Sequence, residues 1–321
     1  MNLEILVRWS ILPPLLLLAY YYWRVPTAPS ILRLLMFFSI GTISGFVSLI
    51  LGLLFENAAN SVLDWQGMQQ SLLGIALRQL IAVGPIEEAC KLAAVLIPSS
   101  FLKRHHQLRP STVFLCAIAV ALGFTAQENW NYFYHGTEDI LPRLIGTPVH
   151  AVFVAPWAYA LATSMFINIP RKNRKKIIFK AWLTSVAFHG LVNVLSSASQ
   201  FRPPLRFLSY GFFPFLLWMY WRLEQLLRQV QGKHPIIVIS GWTRTQRNWR
   251  RGLVVFALMF GGNAIFGLFL LARSLSPLSL AQFIYTDILW ISLRRLLINI
   301  FYAVLAWTIY WYLRRLARVG N

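Results

Sequence analysis

Disulfides are the first thing this sequence does without. Its 321 residues hold two cysteines, Cys90 and Cys116, both inside apolar runs. No secreted-type disulfide framework is available, and both thiols are expected to be small buried residues. Charge is nearly as scarce, at 12% of residues against 57% hydrophobic, which excludes an ordinary soluble domain and points to repeated membrane crossings. Acids are scarcest: 10 Asp and Glu against 30 Lys and Arg, a formal charge of +20. A charge that large is one mark of a nucleic-acid binder. Here the basic residues sit in short loops between apolar runs, with no basic tail and no recognition motif, so nucleic acid is not an expected partner. No Asp lies in an apolar segment, which excludes a membrane aspartyl dyad, and no H-E-x-x-H spacing occurs. Ser44-Gly45 has no evident histidine partner, and Cys90 no obvious paired base.

What is present is a series of apolar segments: 9–23, 31–55, 80–102, 111–134, 147–169, 179–200, 207–222, 252–272 and 296–313. A helix needs about 20 residues to cross the hydrocarbon core, so the first and seventh are short. Arg8 before the first run looks like the start of a signal peptide. Trp23-Arg24-Val25-Pro26 follows it, with no small-residue cleavage pattern, so a retained anchor is expected. With the N-terminus outside, the basic residues around 103–109, 171–180, 222–251 and 314–318 all fall inside. That gives a roughly three-to-one inner excess, the bias of cytoplasmic loops. The expected fold class is therefore all-α, a polytopic transmembrane helix bundle of about nine spans, N-out and C-in. Its expected divisions are 1–79 (two spans and an outer segment), 80–206 (a four-helix catalytic core) and 207–321 (three spans with a basic cytoplasmic loop, 222–251). Trp242 and Trp249 in that loop suit an anionic lipid surface, although topology alone explains its charge. Residues 56–79 read either as an interfacial helix or as an extended loop.

Gly84-Pro85-Ile86-Glu87-Glu88-Ala89-Cys90-Lys91 breaks the pattern. Two carboxylates and an ammonium lie within a run long enough to span, where one charge costs at least about 2.5–3.5 kcal/mol. Lys91 is four residues from Glu87 and three from Glu88, so on a helix it can pair with either. Pro85 removes one backbone donor and is expected to kink the helix just before the pair. A salt bridge that merely locks two helices is the plain alternative. The other buried polar groups are Glu128 in the fourth segment, His150 near the outer end of the fifth, and His189 with Asn193 in the sixth. Counted inward at about 1.5 Å per residue, Glu87, Glu128 and Asn193 share one outer-leaflet depth. His189 is expected about one turn deeper and His150 about two turns shallower.

A buried carboxylate can act as general base toward water, a histidine can share that water, and a His/Asn pair can hydrogen-bond an oxyanion. This is equipment for peptide hydrolysis. Glu87, Glu88, His150 and His189 could also hold Zn²⁺, but from three separate helices. The preferred reading is a metal-free glutamate mechanism, with zinc kept as the alternative.

E-E-x-x-K at Glu87–Lys91, F-x-x-x-E-N at Phe124–Asn129, a span-borne His150 and H-G-x-x-N at His189–Asn193 together resemble the PrsW family of intramembrane proteases, relatives of the CAAX-prenyl endopeptidases and bacteriocin-processing proteins. Lys91 and Glu128 are the PrsW-like choices at positions where the CAAX branch differs. The resemblance implies catalytic Glu87, Glu88, Glu128, His150, His189 and Asn193, supported by Lys91, Phe124 and Asn129. It implies cleavage of a membrane-anchored protein on its extracytoplasmic side, in some members an anti-sigma factor, in a bacterial cytoplasmic membrane. That family has been regarded as metal-dependent, whereas the CAAX branch looks like a metal-free glutamate protease. Two other readings compete: a non-catalytic relative that binds membrane proteins, and a proton-coupled transporter. Intact motifs weigh against the first, and clustering of the polar groups in four consecutive segments weighs against the second. Substrate, cleavage site and oligomeric state are not legible.

Overall fold

The computed structural model describes residues 3–105, 108–166, 170–279, 282 and 285–319, and all its regular elements there are helical. In chain order they are α1 (Leu3–Arg24), α2 (Ile31–Asn60), α3 (Trp65–Met68), α4 (Leu72–Arg78), a π-helical turn (Gln79–Val83), α5 (Gly84–His105), α6 (Pro110–His135), α7 (Ile140–Gly146), α8 (Val149–Ser164), α9 (Arg171–Ser197), two 3₁₀ turns (Ala198–Gln200 and Leu205–Gly211), α10 (Phe212–Val230), α11 (Arg244–Leu275) and α12 (Thr286–Val319). Seven helices are long and apolar enough to cross a membrane among the described residues: α1, α2, α6, α7 with α8, α9, α11 and α12. The third and seventh expected segments are helical too, as α5 and α10, but carry charges that lower their apolarity. The end of the fifth expected segment, 167–169, lies outside the described residues.

The chain groups into two compact units, Met1–Ser197 with Leu223–His234, and Ala198–Arg222 with Pro235–Asn321. At the centre of the first unit is α6, whose apolar stretch from Ser111 to Ala126 is buried on every side. A helix hydrophobic all round belongs inside a bundle, and α1, α2, α5 and α8 pack on it. α2 and α6 approach one another closely. A Cβ on Gly41 would lie 2.1 Å from Val120 O, and one on Gly123 would lie 1.9 Å from Phe38 O. Small residues let two membrane helices touch backbone to backbone. In the second unit α11 and α12 pack along one another, with Phe260 stacked on Tyr302 at 5.9 Å. Both expose large apolar side chains such as Phe256 and Trp307, a surface suited to lipid.

Beyond α2, the expected 56–79 segment holds short helices. Asp64 caps α3 and Ser71 caps α4, each accepting a backbone N–H three residues on. α4 then runs through the π turn into α5, where Gly84 N–H bonds back to Gln79 O. A kink is expected before Pro85, and what stands there is this π turn. The ring removes a donor and the helix widens by one residue rather than breaking.

Candidate active site

The polar groups converge because each stands on a helical stripe facing the same interior. On α8, His150, Phe153 and Trp157 are spaced i, i+3, i+7. On α6 the stripe is Phe124, Gln127, Glu128 and Asn131, with the same periodicity. α5 contributes Glu87, Glu88 and Lys91, and α9 contributes His189 and Asn193.

Lys91 is the hub. Its side chain is fully buried, and an ammonium has three protons to donate. Nζ donates to Glu87 Oε2 at 3.2 Å, to Glu88 Oε1 at 2.9 Å and to His150 Nδ1 at 2.9 Å. The Phe124 ring covers the remaining side, 4.0 Å from ammonium to centroid. Every proton is therefore used.

Glu88 is equally enclosed, at 0% exposed. Besides Lys91, its Oε1 accepts from His189 Nδ1 at 3.2 Å, and its Oε2 accepts from Trp157 Nε1 at 3.0 Å. Glu87, one residue earlier and rotated by about 100°, instead lines a cavity of about 310 Å³. Its Oε2 lies 3.8 Å from His189 Nε2. That is too long for a hydrogen bond, and a water within reach of both atoms sits to one side of the line joining them. His189 is held flat by Phe153, ring centroids 4.4 Å apart and planes within 15°.

The histidines differ in their tautomers. A carboxylate only accepts, so the proton of His189 sits on Nδ1, facing Glu88, and Nε2 presents a lone pair toward Glu87. Lys91 only donates, so His150 Nδ1 accepts and its proton sits on Nε2, given to Glu128 Oε2 at 2.7 Å. Both nitrogens of His150 are thus engaged. Glu128 also lines the cavity, and Arg143 fixes it by donating at 2.6 Å from one arm while Nε reaches Asn129 Oδ1 at 2.8 Å. Asn129 donates in turn to Thr147 Oγ1 at 3.4 Å, and the Arg143 guanidinium lies 4.4 Å above the Tyr132 ring. Asn193 Nδ2 donates to Gln79 Oε1 at 2.8 Å, and both line the cavity.

Every residue singled out by sequence thus lies in this network or on its cavity. Two expectations need correction. His150 is not two turns shallower than the rest, since its ring lies 5.8 Å from that of His189. The apolar stretch containing it begins at Ile140 rather than 147, so α7 leads into α8 and carries His150 inward. Arg143, which the expected segments leave in the loop between 134 and 147, is for the same reason an internal partner of Glu128. Trp157, Phe153 and Gln79 carry no signal in an apolar run; only the i, i+3, i+7 spacing from His150 marks the first two.

Zinc requires three protein donors with free lone pairs aimed at one point. Here Glu87 Oε2 and His189 Nε2 are such a pair. Glu88 already accepts three hydrogen bonds, from Lys91, His189 and Trp157, both nitrogens of His150 are taken by Lys91 and Glu128, and Glu128 Oε2 is held by His150 and Arg143. Among the described residues no group of three His, Cys, Asp or Glu side chains is arranged to hold a metal ion. The donor set as arranged does not fit a three-ligand metal site.

Residues 29–219 match a family model described as PrsW family intramembrane metalloprotease. The match takes in the whole network, and it ends before α11 and α12. No curated protein and no solved structure matches the chain.

Proposed function

Because the chain belongs to the PrsW family and is an intramembrane protease, we propose that Glu87 is the general base of its peptide hydrolysis. The observation that carries this is the 3.8 Å separation of Glu87 Oε2 from His189 Nε2 at the cavity wall. A water held between them gives its proton to Glu87 while its oxygen attacks the substrate carbonyl. Asn193, steadied by Gln79, has a second N–H to offer the developing oxyanion. Glu87 then returns the proton to the leaving amine. Glu88 and Lys91 orient His189 and Glu87, and Glu128 with Arg143 keeps His150 facing Lys91. Lys91 supplies a fixed positive charge beside the base, and the proposed mechanism uses no metal. The family description includes a metal; the three hydrogen bonds on Glu88 and the engagement of both His150 nitrogens favour the metal-free form.

The proposed substrate is a protein anchored in the bilayer of a bacterial cytoplasmic membrane and cut near the outer face, an anti-sigma factor being one such protein. The face follows from the basic-loop bias and its N-out, C-in orientation. The test is incubation of purified protein in detergent with tagged single-span proteins. Cleavage by the wild type and a loss of about 10²–10⁴ in turnover for Glu87→Gln are expected. Equal cleavage by Glu87→Gln would remove Glu87 from the mechanism.

A further inference from the structure

The cavity beside Glu87 has two walls that the hydrolytic network does not use. One is α2, with Gly45, Ser48 and Gly52 along one face. The other is the part of the α6 stripe beside Phe124 and Glu128, where Gln127 and Asn131 stand one turn apart. Gln79 and Asn193 bond each other, but among the described residues no hydrogen bond holds the carboxamide of Gln127 or of Asn131. Gln127 is only 5% exposed, and it lines the cavity. Its amide atoms are not among the fully buried polar atoms left without a partner, so what little it exposes opens on the cavity. Gly45 is what admits it, since a Cβ there would lie 2.5 Å from Gln127 Oε1.

We propose that Gln127 and Asn131 bind the backbone of the substrate, and that the substrate lies in this cavity unwound rather than helical. The inference rests on the protease reading above. Inside a membrane a helical segment satisfies its own N–H and C=O groups, so an unwound one must find partners elsewhere. A carboxamide carries both a donor and an acceptor, the complement of a peptide group. Backbone groups along one edge of an extended strand repeat at about 6.6 Å. Residues one helical turn apart are separated by about 5.4 Å, which flexible carboxamide arms can match. A Cβ on Gly52 would meet no atom within 4 Å, so that part of the α2 wall is open to a strand. Recognition of this kind reads helix-breaking tendency, not side-chain identity.

The experiment is a double-mutant cycle between enzyme and substrate backbone. A synthetic single-span substrate is made with one backbone amide at a time replaced by an ester on either side of the cleaved bond. With the wild type, one ester position should raise KM about fivefold, the effect of one neutral hydrogen bond. Gln127→Met should raise KM for the all-amide substrate by about as much, and that ester should then add nothing. Asn131→Leu should abolish the effect of an ester two residues away along the strand. Should Gln127→Met fail to accumulate in the membrane, Asn131→Leu, at a half-buried position, makes the same test. Ester effects that simply add to those of both substitutions, or no change in KM for either, would overturn the inference while leaving proteolysis intact. Absence of any cleavage by the wild-type protein would instead remove the protease reading on which it rests.

Discussion

At the scale of residues, adjacent glutamates do different work because a helix turns them apart. Glu88 is enclosed and shared among Lys91, His189 and Trp157, whereas Glu87 opens on the cavity. Lys91→Met leaves buried Glu88 without its counter-charge, and breaking a buried pair costs about 3–5 kcal/mol. Its unfolding temperature in detergent should fall sharply. Adding Glu88→Gln removes the uncompensated charge, so the double variant should regain part of that loss while staying inactive. If the losses instead add, the two residues are not the interacting pair described. The pairing of Lys91 with both glutamates was legible from i, i+3 and i, i+4 spacing alone. The partners from other helices were not. Trp157 is one tryptophan among 13, and nothing in sequence says that its N–H meets a carboxylate. Nor does sequence fix tautomers, so the separate duties of His150 and His189 emerged only from their neighbours.

At the scale of elements, the cavity depends on how tightly α2 is held to α6. Gly41 and Gly123 press against the backbone of the opposite helix. Gly123→Ala and Gly41→Ala should each destabilise by about 1–3 kcal/mol, the usual cost of overpacking, and should lower turnover further by moving the α2 wall. Thermal unfolding and a cleavage assay check both effects. Gly52→Ala, whose added methyl meets no atom within 4 Å, should leave stability unchanged. Equal losses at all three sites would mean that close approach does not set the effect, because Ala is the better helix former and propensity alone gives no loss. The helices themselves were largely visible as apolar runs, and the distortion at Pro85 followed from its missing donor. The depth of His150 was misread because α7 contains Arg143 and Pro142 and so reads as loop. Its arginine is admissible inside only because Glu128 and Asn129 meet it there.

At the scale of the whole molecule, orientation decides which side of the membrane the cut falls on. A reporter fused after Lys175 should read as cytoplasmic and one after Glu138 as external. The reverse would place the cavity in the inner leaflet and end the outer-face substrate argument. The all-helical, multi-span character was legible in composition, since so little charge and so much apolar surface admit few other folds. The match to residues 29–219 leaves α11 and α12 without an assigned part in hydrolysis. The central claim is that a lysine-centred set of carboxylates and histidines hydrolyses a membrane-anchored peptide bond with its own charges. Elemental analysis of the purified protein, run beside a cleavage assay before and after chelation, tests it most directly. The account predicts substoichiometric metal and cleavage that persists undiminished in chelator. Stoichiometric zinc, lost together with activity on chelation and restored with it on readdition, would contradict it.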